Sequence, residues 1–232
     1  MVSSIASKLQ AVKQRIETAA QQAGREQNEI QLIAVSKTHP AEAIRAAYEA
    51  GQRVFGESYV QEALDKIAQL ASLNIEWHFI GPIQSNKTRA IANAFNWVHS
   101  VDRLKIAQRL SEQRAEELPA LNICVQINIS GESTKSGVSV DELPALVEAI
   151  ALLPRLRLRG LMAIPQPEKD VSKQGLPFAQ LRQLLAGINE QCKLQMDTLS
   201  MGMSDDMDVA IAEGATMVRV GTDIFGQRDY RR

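Results

Sequence analysis

Residues 31–57, QLIAVSKTHPAEAIRAAYEAGQRVFGE, contain one complete strand, helix and strand pattern. The segment opens on a short apolar run, residues 31–37, that ends at polar residues and is typical of a buried strand. A helical stretch at residues 41–50 follows and is closed by Gly51, and residues 53–57 predict the next strand. Strand, helix and strand in this order predict one β-α-β unit with parallel strands.

The same alternation continues to the end of the chain. Apolar runs predict six more strands, at residues 76–81, 97–101, 122–128, 158–164, 198–202 and 217–221. Periodic stretches predict helices between them, at residues 59–70, 87–94, 104–117, 140–152, 178–191 and 207–213. Eight such units in a chain of 232 residues favour a closed (β/α)8 TIM barrel, an α/β fold. An open doubly wound sheet is the alternative, but no Gly-x-Gly-x-x-Gly turn follows the first strand.

The chain before the first strand predicts one extra helix. Its apolar residues recur at helical spacing, at Ile5, Leu9, Val12 and Ile16, and Gly24 is a plausible stop. No composition change marks a linker, and the polar residues 166–175 are predicted to be a loop after strand six. We therefore expect residues 1–232 to form a single domain, with residues 1–25 as an N-terminal helix packed on the barrel.

Composition and charge exclude several classes of protein. The 26 basic residues nearly balance the 27 acidic ones, so bulk attraction to nucleic acid or an anionic membrane is not indicated. The chain has no stretch near the roughly 20 apolar residues that span a bilayer, and its start lacks the apolar core of a secretion signal. Two distant cysteines and three histidines disfavour a disulfide framework and a metal site. We expect a cytoplasmic protein with no membrane or nucleic-acid partner.

Lys37 closes the first predicted strand, and a barrel carries its chemistry at the carboxyl ends of its strands. Alternation puts Lys37 on the same face as Ile33 and Val35, which points either into the barrel or against the helices. A lysine at the top of a barrel interior loses hydration, which favours the neutral amine. A neutral amine can attack a carbonyl group and form a Schiff base. The alternative is a strand-end lysine that reaches water along its own stem.

The loops after strands seven and eight form a candidate phosphate site, because such barrels often bind phosphate there. Gly221 would let the backbone approach an anion, and Thr222 and Ser204 would supply hydroxyl groups. Ser204 is also predicted to cap the following helix. Ordinary turn glycines and caps are the alternative. The loop is followed by three carboxylates that would repel an anion bound close to them, those of Asp205, Asp206 and Asp208.

Arg219 lies two residues before Gly221 and therefore on the same face of strand eight. A guanidinium inside a barrel mouth needs a partner, because it cannot shed its charge. A carboxylate such as Glu57 is one predicted partner. A bound anion, or a ring nitrogen that accepts a hydrogen bond, is the functional alternative.

Five motifs in register with the predicted strands resemble the signatures of one family. They are AVSKT at 34–38, FGESYVQE at 55–62, WHFIGPIQSNK at 77–87, LSMGMSD at 199–205 and VRVGTDIFG at 218–226. The family they resemble is the YggS/PROSC family of pyridoxal-phosphate-binding homeostasis proteins. Its fold resembles the N-terminal barrel of alanine racemase, so the resemblance implies a fold-type III barrel for pyridoxal 5′-phosphate (PLP).

The resemblance also implies roles for the residues discussed above. Lys37 would hold the PLP aldehyde as a Schiff base, and Arg219 would face the pyridine nitrogen or else brace the phosphate. The residues implied to hold the phosphate are Ser204, Gly221 and Thr222, and those implied to line the site are Ser200 and Met203.

Three further residues lie in segments that resemble the family without a firm role. Ser58 stands where the family commonly has Asn, so a side-chain contact with the cofactor is not implied there. His78 is expected to be a neutral, hydrogen-bonded histidine of the barrel. Lys135 is expected to be a solvated loop lysine, with a transient second amine for the cofactor aldehyde as the alternative.

The resemblance predicts a binder of PLP rather than an efficient enzyme. Alanine racemase takes its second acid/base, a tyrosine, from a further domain of the partner subunit, and we expect this chain to lack that domain. An arginine opposite the pyridine nitrogen keeps the ring unprotonated and makes it a poorer electron sink. We expect a monomeric PLP carrier that acts in vitamin B6 and amino-acid homeostasis and delivers PLP transiently to apo-enzymes. The alternatives are a weak amino-acid racemase or decarboxylase, and a phosphosugar-type barrel enzyme that uses Lys37 without a cofactor.

Overall fold

The computed structural model describes residues 4–131, 136–166, 168, 170 and 173–227. Eight parallel strands lie in these ranges: β1 (Gln31–Val35), β2 (Val54–Glu57), β3 (Glu76–Phe79), β4 (Trp97–Val101), β5 (Leu121–Gln126), β6 (Leu156–Met162), β7 (Thr198–Ser200) and β8 (Met217–Val220). Each strand pairs with the next, and β8 pairs with β1. The predicted closed (β/α)8 barrel is confirmed, and the open-sheet alternative is wrong.

Helices connect the strands in the same described ranges. They are α1 (Ile5–Gln22), α2 (Ala41–Glu49), α3 (Val60–Gln69), α4 (Thr88–Ala94), α5 (Leu104–Gln113), α6 (Leu143–Ala151), α7 (Leu176–Cys192), α8 (Met207–Ala212) and α9 (Thr222–Phe225). Short 3₁₀ turns occur at Gln27–Glu29 and Ser85–Lys87. None of the helices described combines the length and the hydropathy of a membrane span.

Seven strands differ from their predicted bounds by one or two residues, β4 being the exception, and the differences in β1 and β6 have a visible cause. The strand predicted at residues 31–37 ends at Val35, because the chain turns at Thr38, whose φ of 66° is left-handed. The strand predicted at residues 158–164 runs from Leu156 to Met162, because its pairing with β5 begins at Leu156. Lys37 therefore lies in a turn beyond β1 rather than in the strand.

Side chains alternate between the barrel interior and the layer of helices. Leu32 and Ala34 of β1 face outward and pack in the large cluster under the helices. A separate buried cluster inside the barrel consists of Ile33, Trp97, Cys124, Met162 and Met217. The other side chains of the barrel interior include buried polar ones, which extend to the carboxyl end of the barrel.

The N-terminal helix α1 packs against α2, α8 and α9. It therefore covers the side of the barrel where β8 meets β1. The face that it buries carries Leu9, Val12, Ile16, Ala19 and Ala20, which continue the helical spacing read from the sequence. This position brings α1 close to the loops that follow β7 and β8.

We predict that Gly160→Ala strongly destabilises the barrel, whereas Gly187→Ala does not. A Cβ atom on Gly160 would lie 1.8 Å from the carbonyl oxygen of Thr198, so β6 and β7 could not pair as they do. Gly187 lies in α7 with nothing within 4 Å of a Cβ atom, so alanine there should stabilise by about 0.5–1 kcal/mol. Urea denaturation of both variants measures the difference. Equal stability of the two variants would contradict this packing.

Candidate functional site

Lys37 and the Gly221–Thr222 turn lie at the carboxyl ends of neighbouring strands. β1 and β8 pair in parallel with Ala34 opposite Val220, so both segments leave the barrel at the same edge. A Cβ atom on Gly221 would lie only 3.1 Å from the carbonyl oxygen of Val35, so glycine permits this close approach. The structure thus brings together the predicted amine and the predicted phosphate turn.

Next to the Lys37 turn, Lys66 of α3 forms a buried cluster with two carboxylates. Its Nζ is 2.8 Å from Oε1 of Glu57 and 2.5 Å from Oε1 of Glu62. Burial raises the pKa of the Glu57 carboxyl, and the Lys66 ammonium opposes this rise. Oε2 of Glu57 is buried with no hydrogen-bond partner among the residues described. The sequence-based pairing of Glu57 with Arg219 is therefore wrong, because Glu57 belongs to this Lys66 cluster.

The Lys66 cluster holds the backbone on both sides of Lys37. Lys66 Nζ donates to the carbonyl oxygen of Ser36 at 2.8 Å, and Ser36 Oγ donates to Glu57 Oε1 at 2.7 Å. The N–H of Thr38 donates to Glu62 Oε1 at 2.6 Å. Thr38 is a β-branched residue with a left-handed φ, a conformation that persists only where the surroundings enforce it. Lys37 itself is half-buried between these anchors.

Arg219 is buried inside the barrel near its carboxyl end. Its Nη1 donates to Ser200 Oγ at 2.7 Å, and its Nη2 donates to the carbonyl oxygen of Ala163 at 3.0 Å. Burial lowers the pKa of Arg219 to about 10, so the guanidinium keeps its charge at neutral pH. Ser200, predicted to line the site, is fully buried and contacts this guanidinium.

From Ser200 a line of polar side chains crosses the barrel interior. Ser200 Oγ lies 2.8 Å from His99 Nδ1, and His99 Nε2 lies 2.8 Å from His78 Nδ1. His78 Nε2 lies 2.7 Å from Oε1 of Glu76, at the amino end of β3. Burial lowers the pKa of both imidazoles. His78 is hydrogen-bonded inside the barrel as expected, whereas the roles of His99 and Glu76 were not predicted.

The loop after β7 holds Met203 and Ser204 at the surface. Met203 is exposed and Ser204 is half-exposed. Ser204 does not cap the next helix as predicted, because α8 begins at Met207 and the capping position is occupied by Asp206. Asp206 Oδ1 instead accepts a hydrogen bond from the backbone N–H of Met203 at 2.6 Å, which closes the loop on itself.

Arg15 of α1 ties the loops after β7 and β8 together, and sequence reasoning missed it. Its guanidinium donates to the carbonyl oxygen of Ser204 at 2.7 Å and to both carboxylate oxygens of Asp208 at 2.8–2.9 Å. It also lies 3.4 Å from a carboxylate oxygen of Asp223. Arg15 thereby offsets acidic charge that would otherwise oppose an anion at Ser204 or Thr222. No spacing in the sequence signals this contact, because it joins residues about 190 positions apart.

A cavity of about 320 Å³ opens at the carboxyl ends of β3, β5 and β6. Its lining is mainly apolar, with a few amide and hydroxyl groups, and consists of Ile80, Pro82, residues 126–130, Ser136 and Ile164. This volume is at the lower end of the range for small-molecule sites. Ser58 is buried at the end of β2. Lys135 lies outside the residues that the structure describes.

We predict that Lys66→Met lowers the free energy of unfolding by about 3 kcal/mol, because it leaves Glu57 buried without its ammonium partner. Arg182→Met is the matched control. It removes an ion pair with Glu213 at the surface and should change stability by less than about 1 kcal/mol. Urea denaturation measures both changes, and an equal effect of the two substitutions would show that the Lys66 cluster does not stabilise the turn.

Comparison with known proteins places this geometry in a family. The sequence profile described as alanine racemase, N-terminal domain, matches residues 7–229. A pyridoxal phosphate homeostasis protein of Pseudomonas aeruginosa is 61% identical over 229 residues, which cover 99% of this chain and 98% of the relative. The protein of the same name from Escherichia coli is 54% identical over 231 residues, with 98% of each chain covered.

Solved structures agree with these sequence relatives. PipY of Synechococcus elongatus, solved with PLP bound, is 40% identical and covers 96% of this chain and 100% of its own, with a TM-score of 0.84. Alanine racemase of Corynebacterium glutamicum is 19% identical, with a TM-score of 0.67 over 96% of this chain and 62% of the racemase, so it shares the fold. The chain belongs to the alanine racemase N-terminal domain family, alongside relatives named pyridoxal phosphate homeostasis proteins.

Proposed function

We propose that this chain binds PLP reversibly through Lys37 and takes part in the homeostasis of vitamin B6 and amino acids. The observation that carries the proposal is the meeting of Lys37 with the Gly221–Thr222 turn at one edge of the barrel. The names of the similar proteins and the PLP in the PipY structure support it.

The side chains at this edge fit the chemical groups of PLP. When bound, PLP supplies an aldehyde that condenses reversibly with a primary amine, and Lys37 would supply that amine. The hydroxyl groups of Thr222 and Ser204 and the backbone N–H groups after Gly221 would donate to the phosphate. Arg15 supports this role, because it offsets the charge of Asp208 and Asp223 beside those donors.

We assign Arg219 to the pyridine nitrogen rather than to the phosphate. Its two terminal nitrogens are directed toward β7 and β6, at Ser200 and Ala163, and not toward the turn that follows β8. Arg219 keeps its proton at neutral pH, so it would donate a hydrogen bond to the ring nitrogen. A ring nitrogen that accepts this hydrogen bond stays unprotonated, which weakens the cofactor as an electron sink.

This electronic setting favours a carrier over an enzyme. A racemase also needs an acid/base group on the second face of the cofactor. The tyrosines in the part of the chain described are Tyr48, which packs 3.8 Å beneath the Arg53 guanidinium, and Tyr59, which is half-exposed at the start of α3. Tyr48 is engaged with Arg53 and Tyr59 is open to solvent, and we propose that neither serves as that group. A carrier of this kind would hold PLP in the cytosol as a monomer and deliver it to apo-enzymes.

We predict that borohydride reduction of the PLP-loaded protein fixes the cofactor to the peptide that contains Lys37. Lys37→Ala should abolish both the visible absorption and the adduct, because the amine is lost. Lys87→Ala is the matched control, since Lys87 is an exposed lysine in a neighbouring motif and should leave both unchanged. Mapping of the adduct chiefly to another lysine, such as Lys135, would overturn the proposal. A wild-type protein that never becomes yellow with PLP would favour a barrel enzyme without cofactor.

We predict turnover below about one per second for the PLP-loaded protein across a panel of amino acids, which is below ordinary enzyme rates. Racemisation is measured by chiral chromatography and decarboxylation by released CO₂. Lys37→Ala serves as the background control. Lysine-dependent turnover above that rate would defeat the carrier and establish the racemase or decarboxylase alternative.

A further inference from the structure

The polar side chains inside the barrel have a fixed direction of hydrogen bonding. A guanidinium only donates hydrogen bonds, so Ser200 Oγ must accept from Arg219 at 2.7 Å. The Ser200 hydroxyl proton is then available to His99 Nδ1, which lies 2.8 Å away. Ser200 Oγ has a second lone pair, so this end alone does not fix the direction. The Glu76 carboxylate at the other end only accepts, and with both rings neutral this makes His99 Nδ1 an acceptor and puts the His99 proton on Nε2.

The same reasoning continues to the amino end of the barrel. His99 Nε2–H donates to His78 Nδ1 at 2.8 Å, so a neutral His78 also carries its proton on Nε2. His78 Nε2–H then donates to the Glu76 carboxylate at 2.7 Å. Every hydrogen bond in this series therefore runs in one direction, from Arg219 toward Glu76. Every ring nitrogen of the two histidines has a partner.

The surroundings favour neutral imidazoles along this line. Both histidines are fully buried, and His78 stacks on Trp97 with ring centroids 5.4 Å apart. Burial lowers the pKa of each ring, and the charge of Arg219 lowers that of His99 further. Other charged or titratable groups lie on the strands and loops around the line: Arg159 of β6, which covers Trp97, Asp197 beside Arg159, Cys124 of β5 and Asp206 before α8.

We propose that Glu76, His78, His99 and Ser200 are positioning residues that act as one directional chain on Arg219. This hydrogen-bond chain holds the Arg219 guanidinium in its orientation and links it to the Glu76 carboxylate at the amino end of the barrel. Glu76 is partly exposed there, with 41% of its side chain accessible, so the hydrogen-bond chain begins at the protein surface. The effect of Arg219 on the cofactor ring rests on the proposed function. The hydrogen-bond chain from Glu76 to Ser200 does not depend on it.

Imidazole ¹⁵N NMR of the PLP-free protein tests the chain independently of the cofactor. His78 and His99 should both show the neutral form with the proton on Nε2, and neither should titrate between about pH 6 and pH 8. The signal of His39, the third histidine, is identified by His39→Gln. A proton on Nδ1 of either buried ring, or a charged ring at pH 7, would overturn the proposal.

Removal of the Glu76 charge tests whether Glu76 and the two histidines act together. Glu76→Gln keeps an oxygen acceptor for His78 but is a weaker acceptor than a carboxylate, so the Nε2–H signals of both histidines should move upfield. Asp197→Asn is the matched control, because Asp197 is a half-exposed carboxylate at the same end of the barrel and pairs with Arg159. Its effect on His99 should be negligible. An equal effect of both variants, or no effect of Glu76→Gln on His99, would refute the coupling.

Substitution at Ser200 tests the link to the cofactor. Ser200→Ala should weaken PLP binding about tenfold and shift the pH midpoint of the visible absorption band, because Arg219 loses its hydroxyl partner. Ser200→Thr keeps a hydroxyl and should restore both. If the tautomers are as expected but Ser200→Ala leaves binding and the absorption band unchanged, the chain does not position Arg219 and the proposal fails. Loss of PLP binding by the wild type would instead refute the proposed function.

Discussion

The parallel pairing of β8 with β1 is the constraint on which the site depends. It joins Gln31 to Met217 and Ala34 to Val220, residues almost the whole chain apart, and it closes the barrel. Because parallel strands share one carboxyl edge, the turn after β1 and the turn after β8 must lie side by side. Lys37 and the Gly221–Thr222 turn are therefore brought together by the backbone, before any side-chain contact is made. The N-terminal helix secures the same edge through Arg15.

Two buried cations stand on opposite sides of this edge, and the protein stabilises them differently. Lys66, in the helical layer, is neutralised by Glu57 and Glu62 and holds the turn of Lys37. Arg219, inside the barrel, contacts a hydroxyl group and a carbonyl oxygen instead of a carboxylate. The loss of hydration is reflected in its lowered pKa. A buried charge held by a hydroxyl group and a carbonyl oxygen near the carboxyl end of the barrel is suited to bind a ligand that accepts hydrogen bonds.

Much of the fold could be predicted from the sequence, because strand and helix periodicity are local patterns. The placement of Lys37 and Gly221 followed from the general rule on strand ends and from the family motifs. The end of β1 was predicted two residues too late, since the left-handed turn at Thr38 depends on Glu62, which lies in α3, the second helix after β1. The contacts of Arg15, Glu57 and His99 could not be predicted. They depend on side-chain directions between elements far apart in sequence, and polar residues of these types give no periodic signal.

A crystal structure of the protein grown with PLP would show whether Lys37 and the turn after β8 bind one cofactor molecule. We expect electron density that is continuous between the cofactor and Lys37 Nζ, with the phosphate against Ser204 and the Gly221–Thr222 turn. Arg219 should face the pyridine nitrogen while it keeps its contact with Ser200. Density joined to a different lysine, or a phosphate bound elsewhere on the barrel, would show that the cofactor site lies elsewhere.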